Sequence, residues 1–239
     1  MPNVYVGVPS FDYAGSPSSL LDLCEQDSPL GDGWRIRRKK YDASGAMQVR
    51  DFMSMVMQDP GPVVLLGPVQ REIVGKVRER LDSRVPVLNE EPYDIEAMRA
   101  TLLEAVAQFE QGDPPVPLDV AVALLIIRKL DQERMWAGNS KGYMYADSIP
   151  KGRGVDERYQ PRVAYVVSML LNHGFLVMKP SNGHKKFALN PDKRIELLRM
   201  LRNRRLESAL QQVLSRGSAT ESCRVLDCLA SYDSPEDRG

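Results

Sequence analysis

Cysteine and histidine are scarce in this chain of 239 residues, and their scarcity excludes several kinds of site. The three cysteines, Cys24, Cys223 and Cys228, predict no disulfide framework, and the last two lack the CxxC spacing of a zinc knuckle. They fit free thiols in a reducing, intracellular setting. Both histidines, His173 and His184, lie in the second half of the chain, so the first half cannot contain a histidine-based catalytic set.

Long hydrophobic runs are also absent. The longest, Val120–Ile127, is much shorter than the roughly 18 residues that a membrane span needs, so we expect no membrane partner. The first residues, MPNVYVGVPSFD, lack a basic leader followed by an apolar core. We therefore expect no signal peptide and a cytoplasmic location.

Three motifs that bind nucleotides or metal ions are missing as well. The chain contains no GxGxxG, and Gly67–Lys76 (GPVQREIVGK) has seven residues between its glycines, followed by Val77 where a phosphate loop needs Ser or Thr. Val63–Pro68 (VVLLGP) has no Asp-x-Asp metal site after its apolar run. We therefore predict no catalytic residues, no metal site and no cofactor.

A net charge of zero conceals an uneven distribution along the chain. Residues 1–117 hold 12 basic and 18 acidic side chains, a net charge of −6, whereas residues 118–217 hold 18 and 9, a net charge of +9. A basic region beside an acidic one is typical of a phosphate-binding module attached to another domain. The tail, residues 218–239, is acidic and rich in small residues, which predicts partial disorder.

The first half alternates strand-like and helix-like segments, which predicts parallel strands joined by helices. Trp34–Tyr41 is rich in basic residues, so we place it at an exposed edge of the sheet. We predict a small Rossmann-like α/β domain over residues 1–112. The other predicted strands are Val4–Val8, Pro62–Leu66 and Val85–Leu88, and the predicted helices lie within Ser16–Leu23, Ala46–Gln58, Glu72–Leu81 and Ile95–Phe109.

The prolines of Gly112–Pro117 predict a stiff linker, because they fix φ and stop the preceding helix. A second domain is predicted over residues 118–215. It opens with the helix Leu118–Glu133, which is apolar on nearly every turn and therefore central. Its final helix begins at Asn190 and runs to about Ser215, with an apolar stripe that could pack on the domain or on a second subunit.

Between these helices, Asp156–Asn190 combines a helix with a hairpin. The apolar residues from Val163 to Leu171 recur at helical spacing, and Gly174 is a typical helix end. Two strand-like runs, Phe175–Met178 and Lys186–Leu189, then flank an Asn-Gly turn, the strongest short-range signal for a hairpin.

This order of elements resembles the winged-helix domains of transcription regulators and mobile-element proteins. The resemblance is carried by RYQPRVAYVVSMLLNHGFLVMKPSNGHKKFALN and covers fewer than half of the residues. In that family the helix before the hairpin enters the major groove, and the hairpin, or wing, touches the neighbouring backbone or minor groove. The implied base contacts are Arg158, Gln160, Arg162 and Tyr165, and the implied phosphate contacts are Lys179, Ser181, His184, Lys185 and Lys186, with Lys151 and Arg153 extending the basic patch.

The first domain has candidate ligand-binding residues where two predicted strands end. Ligands of open α/β sheets gather at the carboxyl ends of the strands. Val4–Asp12 (VYVGVPSFD) also resembles the opening strand and loop of nucleoside deoxyribosyltransferase-like proteins and small glycosyltransferases, which implies a small nucleotide ligand. Solvated surface acids are the alternative interpretation. The candidates are Asp12, Tyr13, Ser16, Glu90 and Glu91.

We expect a DNA-binding regulator, or a mobile-element or defence-associated factor, that binds duplex DNA as a homodimer. Its pairing of a sensor or dimerisation domain with a DNA reader resembles the arrangement of CRISPR-associated Rossmann-fold regulators. Two alternatives stay open. A nucleotide- or nucleoside-processing enzyme would have a deep pocket that holds Asp12, Glu90 or Glu91, and a structural adaptor of a larger complex would expose apolar area on residues 192–215.

Overall fold

A computed structural model of the chain describes residues 1–9, 16–27, 30–41, 49–138, 141–181 and 183–233. The chain divides into two compact units, Met1–Pro115 and Val116–Gly239. The predicted linker, Gly112–Pro117, contains the short strand β5 (Pro115–Pro117). Among the residues that the structure describes, no helix has the length and apolar character needed to cross a bilayer.

The first unit is an α/β domain with a four-stranded sheet of order β2-β1-β3-β4, in which every pair is parallel. The predicted parallel pairing is confirmed, and the basic strand β2 lies at the edge of the sheet as expected. The strands are β1 (Asn3–Pro9), β2 (Arg35–Tyr41), β3 (Val63–Leu66) and β4 (Val87–Glu90), and the helices are α1 (Pro17–Gln26), α2 (Val49–Gln58), α3 (Arg71–Arg80) and α4 (Ile95–Gln111).

Strand β1 shows why helices cover both faces of this sheet. Successive side chains of a strand point to opposite faces. Val4, Val6 and Val8 are buried in one cluster with residues of α1 and α4. Tyr5 instead packs in a second cluster, where its ring meets that of Phe52 from α2 edge to face. The strand is therefore apolar on both sides, as a central strand of a parallel sheet must be.

The second unit is built around α5 (Leu118–Gln132), which is buried on nearly every turn, as predicted. A three-stranded antiparallel sheet of order β6-β8-β7 follows it in the chain, and a two-stranded sheet pairs β5 with β9. The other elements are β6 (Met144–Tyr145), α6 (Gln160–Asn172), β7 (Leu176–Ser181), β8 (His184–Leu189), α7 (Arg194–Asn203), α8 (Ser208–Ser215) and β9 (Thr220–Ser222).

The helix and hairpin predicted from Asp156–Asn190 correspond to α6, β7 and β8. Gly174 has a φ of 73°, which suits a glycine just beyond a helix end. Gly183 has a φ of 78° in the hairpin turn, while Asn182 lies outside the described residues.

The final helix of the second domain was predicted as one element, and this was wrong. The chain breaks between α7 and α8 because Arg204 adopts the left-handed conformation, with a φ of 51°. On the two sides of the break, Leu201, Leu206 and Leu210 are all buried in the core of the unit. Ile195, the first apolar residue of the predicted helix stripe, is largely exposed, at 83 %.

The tail, for which partial disorder is predicted, contains regular structure over residues 220–232. After β9, a ten-residue 3₁₀-helix (Cys223–Tyr232) buries Leu226, Leu229 and Tyr232 against the core of the unit. The Tyr232 hydroxyl donates to Asp131 of α5 over 2.6 Å. The acidic composition suggested disorder, but the three apolar side chains recur every third residue, the period at which a 3₁₀-helix aligns them on one side.

Candidate nucleic-acid interface

The register of the β7–β8 hairpin distributes its polar side chains over two faces. Directly opposed residues of an antiparallel pair share a face. Lys185 stands opposite Pro180, two residues from Phe187, whereas Lys186 stands opposite Lys179. Lys185 therefore lies on the face that carries Phe187, and Lys179 and Lys186 lie on the other. The basic side chains predicted as one set occupy both faces of the hairpin.

The Phe187 face of the hairpin and the helix α6 enclose a groove of about 550 Å³. Its floor is apolar and includes Val163, Val167 and Phe187. Lys151 and Lys185 supply its cations, and Asp147 is the acidic residue that lines it. We call this feature the groove. The remaining lining residues are Ala146, Ile149, Pro150, Gln160, Ala164, Ser168, Leu171 and Met178.

Helix α6 presents a narrow, uncharged row of side chains to the groove. Gln160, Ala164 and Ser168 are exposed and stand four residues apart, so that they lie above one another on the helix surface. The small side chains of Ala164 and Ser168 leave room for a partner to approach the helix backbone. Of the residues predicted to touch bases, Gln160 lines the groove, whereas Tyr165 is 40 % exposed with its ring 5.2 Å from the Arg162 guanidinium.

Arg162, whose side chain is 43 % exposed, is bound by Asp119, a contact that local sequence patterns do not reveal. Its Nε donates to Oδ1 of Asp119 over 2.7 Å, and a second nitrogen donates to Oδ2 over 2.5 Å. The Asp119 side chain is only 2 % exposed, in the first turn of α5, where the helix N-terminus favours negative charge. This planar, two-point pair ties α6 to α5 and neutralises the charge of Arg162.

Arg158 is also engaged by a carboxylate, Glu221 of β9. One of its terminal nitrogens lies 3.3 Å from a carboxylate oxygen of Glu221 and donates to the Tyr159 hydroxyl over 2.5 Å. That hydroxyl in turn donates to Glu221 over 3.1 Å. Tyr159 is almost fully buried, and burial is the main cause that raises the pKa of its hydroxyl. The two arginines predicted to read bases thus both make internal contacts.

The face of the hairpin opposite the groove carries aromatic as well as basic side chains. Lys186 Nζ lies 4.1 Å from the centre of the Tyr145 ring, and Lys179 Nζ lies 5.6 Å from that of Tyr143. The rings of Tyr145 and His184 meet edge to face at 6.1 Å. We call this surface the outer face, and define it by Tyr143, Tyr145, Lys179, Ser181, His184 and Lys186.

Five cations of this region have no carboxylate partner within 4.0 Å among the residues that the structure describes. They contrast with Arg158 and Arg162, which are both paired. Uncompensated charges of one sign on neighbouring elements attract a polyanion. The five are Lys151, Arg153, Lys179, Lys185 and Lys186.

The loop that carries Lys151 is fixed by another lysine, Lys129 of α5. Its Nζ donates to the backbone carbonyls of Ser148 over 3.2 Å, of Ile149 over 3.0 Å, and of Lys151. Lys129 is only 3 % exposed, and this burial lowers the pKa of its ammonium group. The sequence signal for this role is the position of Lys129 among the apolar residues that α5 buries.

Of the candidate ligand-binding residues of the first unit, the structure describes Ser16, Glu90 and Glu91. Glu90 and Glu91 are exposed, and Ser16 is buried, where its hydroxyl oxygen accepts from the Ser19 amide as the cap of α1. Asp12 and Tyr13 lie outside the described residues. A pocket of about 380 Å³ on this unit is lined instead by Arg71, Val74, Gly75, Arg78 and Asn89.

The chain matches no protein-family model, no curated protein and no solved structure.

Proposed function

We propose that the second unit binds duplex DNA through α6 and the β7–β8 hairpin, as the reading module of a regulator. The order of its elements supports this: a central helix, an irregular link, a helix and a hairpin, which is the order that a winged helix implies. The hairpin is braced by a third strand, β6, and α6 lies beside it across the groove.

The observation that carries the proposal is the set of cations around the groove and hairpin that have no carboxylate within 4.0 Å among the described residues. Lys151 enters the groove from the loop before α6, and Lys185 enters it from β8. Each lysine can neutralise one phosphate and release condensed counterions, which is the main source of affinity for a duplex. Two lysines that line the groove together with an uncharged helix face suit contact with a phosphate backbone.

The side chains that line the groove on α6 suit contacts with base edges. Gln160 can pair with adenine through its amide, Ser168 can donate or accept, and Ala164 can contact a thymine methyl group. In this proposal Arg158 and Arg162 serve mainly to fix the N-terminal part of α6, because Glu221 and Asp119 already bind them. A homodimer, and a sensor or dimerisation role for the first unit, belong to the same proposal.

The test measures affinity for a short labelled duplex of random sequence by fluorescence anisotropy over a series of salt concentrations. The wild-type protein should bind at about 50 mM salt and weaken steeply as salt rises. Lys151→Gln and Lys185→Gln should each weaken binding and lower the slope of log K against log salt by about 1. Arg199→Gln is the matched control, since Arg199 is an exposed cation on α7 and does not line the groove.

Two results would overturn the proposal. One is a folded, monodisperse wild-type protein that binds no duplex at about 50 mM salt, a concentration at which phosphate contacts are strong. The other is an unchanged salt slope in both lysine variants. Arg162→Ala is unsuitable for this test, because the loss of the Asp119 contact would disturb the fold as well.

A further inference from the structure

The groove accounts for only part of the charge and exposed area on the hairpin. Tyr145 is 43 % exposed, and Tyr143 is partly exposed beside it. Tyr145 stands opposite Lys186 in the sheet, and Tyr143, which directly precedes strand β6, has its ring 5.6 Å from Nζ of Lys179 on the same face. Lys179 and Lys186, neither of which has a carboxylate partner among the described residues, lie on that face too.

We propose that the outer face is a second binding surface, which takes single-stranded nucleic acid by stacking unpaired bases on Tyr145 and Tyr143 while Lys179 and Lys186 contact phosphates. Surfaces that bind single strands without strong sequence preference combine aromatic rings with a positively charged path for the backbone. The outer face supplies both, with two rings, two lysines and His184. This inference does not depend on duplex binding in the groove.

The Tyr145 ring is held in place before any ligand arrives. Interaction with Lys186, and to a smaller extent with Ser181, lowers the pKa of its hydroxyl, and the edge of the His184 ring packs against the Tyr145 ring. The ammonium of Lys186 also lies against the ring. A ring that is already fixed loses little conformational entropy when a base stacks on it, which favours binding.

Stacking on these rings requires bases that are not already stacked and paired within a duplex. A base in a duplex has its faces covered by its neighbours and exposes only its edges in the grooves. An exposed ring on a sheet face therefore selects an unpaired strand, as at loops, ends or melted segments. The groove, on the opposite side of the hairpin, has no aromatic ring among its described lining residues except the buried Phe187.

The experiment measures binding of a labelled oligothymidine of about 12 nucleotides, a length within the range of known single-strand sites, by fluorescence anisotropy. The full-length wild-type protein should bind it in a salt-dependent manner. Tyr145→Ala should weaken binding about 5- to 100-fold, as loss of one stacked base does. Tyr145→Phe keeps the ring and should retain most of the affinity, which separates stacking from loss of the hydroxyl contacts.

Variants on the two faces distinguish this inference from the proposed function. Tyr145→Ala should leave the affinity for duplex nearly unchanged, while Lys185→Gln should weaken duplex binding and spare the oligothymidine. Thermal melting of each variant checks that the hairpin is intact. If Tyr145→Ala fails to fold, Tyr143→Ala and Tyr145→Phe are compared instead. Tyr143→Ala should lose affinity for oligothymidine, and Tyr145→Phe should retain it.

Three results would overturn the inference. The wild-type protein could fail to bind oligothymidine at about 50 mM salt while it remains folded. Folded Tyr145→Ala could bind as the wild type does. Finally, Tyr145→Ala and Tyr145→Phe could weaken single-strand and duplex binding in the same proportion, which would assign the tyrosine to the stability of the hairpin. In each case the effect of Lys185→Gln on duplex binding still tests the groove, independently of the result with oligothymidine.

Discussion

Lys129 is a residue whose charge serves the fold of the second unit. Three backbone carbonyls converge on its ammonium group, and no carboxylate lies within ion-pair distance among the described residues. A buried ammonium is costly unless hydrogen bonds satisfy it, and buried carbonyls are costly unless they have a donor. The side chain and the loop around Lys151 therefore stabilise each other, and the loop presents Lys151 to the groove as a result.

We expect Lys129→Met to lower the free energy of unfolding by about 1–3 kcal/mol at neutral pH, because three carbonyls lose their donor. The difference in free energy of unfolding between the wild type and Lys129→Met should increase at higher pH. Burial lowers the pKa of Lys129 below its ordinary value of 10.5, so between the folded and unfolded pKa values the unfolded chain binds more protons. The stability that Lys129 contributes therefore rises with pH in that window, and it is constant below the folded pKa.

The measurement is urea unfolding of both proteins at several pH values up to about 10.5, the top of the window set by an unperturbed lysine. Lys185→Met serves as the control, since it removes an exposed ammonium and so corrects for the change in net charge. If the difference in free energy of unfolding between the wild type and Lys129→Met stays constant or decreases over this window, the role given to burial is contradicted. Equal stabilities at neutral pH would contradict the role given to the three carbonyls.

At the scale of elements, the ion pair between Arg162 and Asp119 joins α6 to α5 over 43 positions of the sequence. We expect Arg162→Ala to lower the free energy of unfolding by about 2–4 kcal/mol, because it leaves a buried carboxylate without its cation. Arg158→Ala should cost less than about 1 kcal/mol, because the side chain of Arg158 is 54 % exposed and water screens its ion pair.

The check is a double-mutant cycle of Asp119→Ala and Arg162→Ala, measured by urea unfolding. The two changes should be strongly non-additive, since either one alone already breaks the pair. Arg162→Lys should fall between the wild type and alanine, because an ammonium cannot make both parallel bonds. Additive effects, or equal costs for Arg162→Ala and Arg158→Ala, would show that the pair is not what holds α6 on α5.

The elements that the sequence predicted are those whose signals are local. The alternation of apolar runs predicted the parallel sheet, and Gly174 marked the end of α6 because a left-handed residue was needed there. The break at Arg204 had no such signal, since the left-handed residue is neither glycine nor asparagine. The 3₁₀-helix Cys223–Tyr232 was missed because its period of three is not that of an amphipathic α-helix.

The candidate site was predicted only in part, because only some of its features have local sequence signals. The presence of the helix, the hairpin and the lysines could be predicted from composition and turn residues. The division of the lysines between the groove and the outer face depends on the register of β7 with β8. A shift of one residue would exchange the faces. The partners Asp119 and Glu221 lie far from α6 in sequence, so the internal pairing of Arg162 and Arg158 could be seen only in three dimensions.

At the scale of the whole molecule, each unit has its own hydrophobic core. The buried clusters of the first unit contain only residues up to Phe109, and that of the second contains only residues from Val116 onward. The charge divides in the same way, since the excess of acidic residues lies in the first part of the chain and the excess of basic residues in the second. Separate cores predict that each unit can fold without the other.

We expect a fragment of residues 116–239 to unfold cooperatively and to bind a short duplex with the same salt slope as the full chain, because the slope counts phosphate contacts and these lie in the second unit. At low salt the fragment should bind at least as tightly as the full chain, since it lacks a unit with an excess of negative charge. Any such difference should fade as salt screens the repulsion. The fragment 1–115, assayed in the same way, is the control and should not bind. A folded fragment 116–239 with a reduced slope would mean that the first unit supplies phosphate contacts, and the assignment of the interface to α6 and the hairpin would then be incomplete.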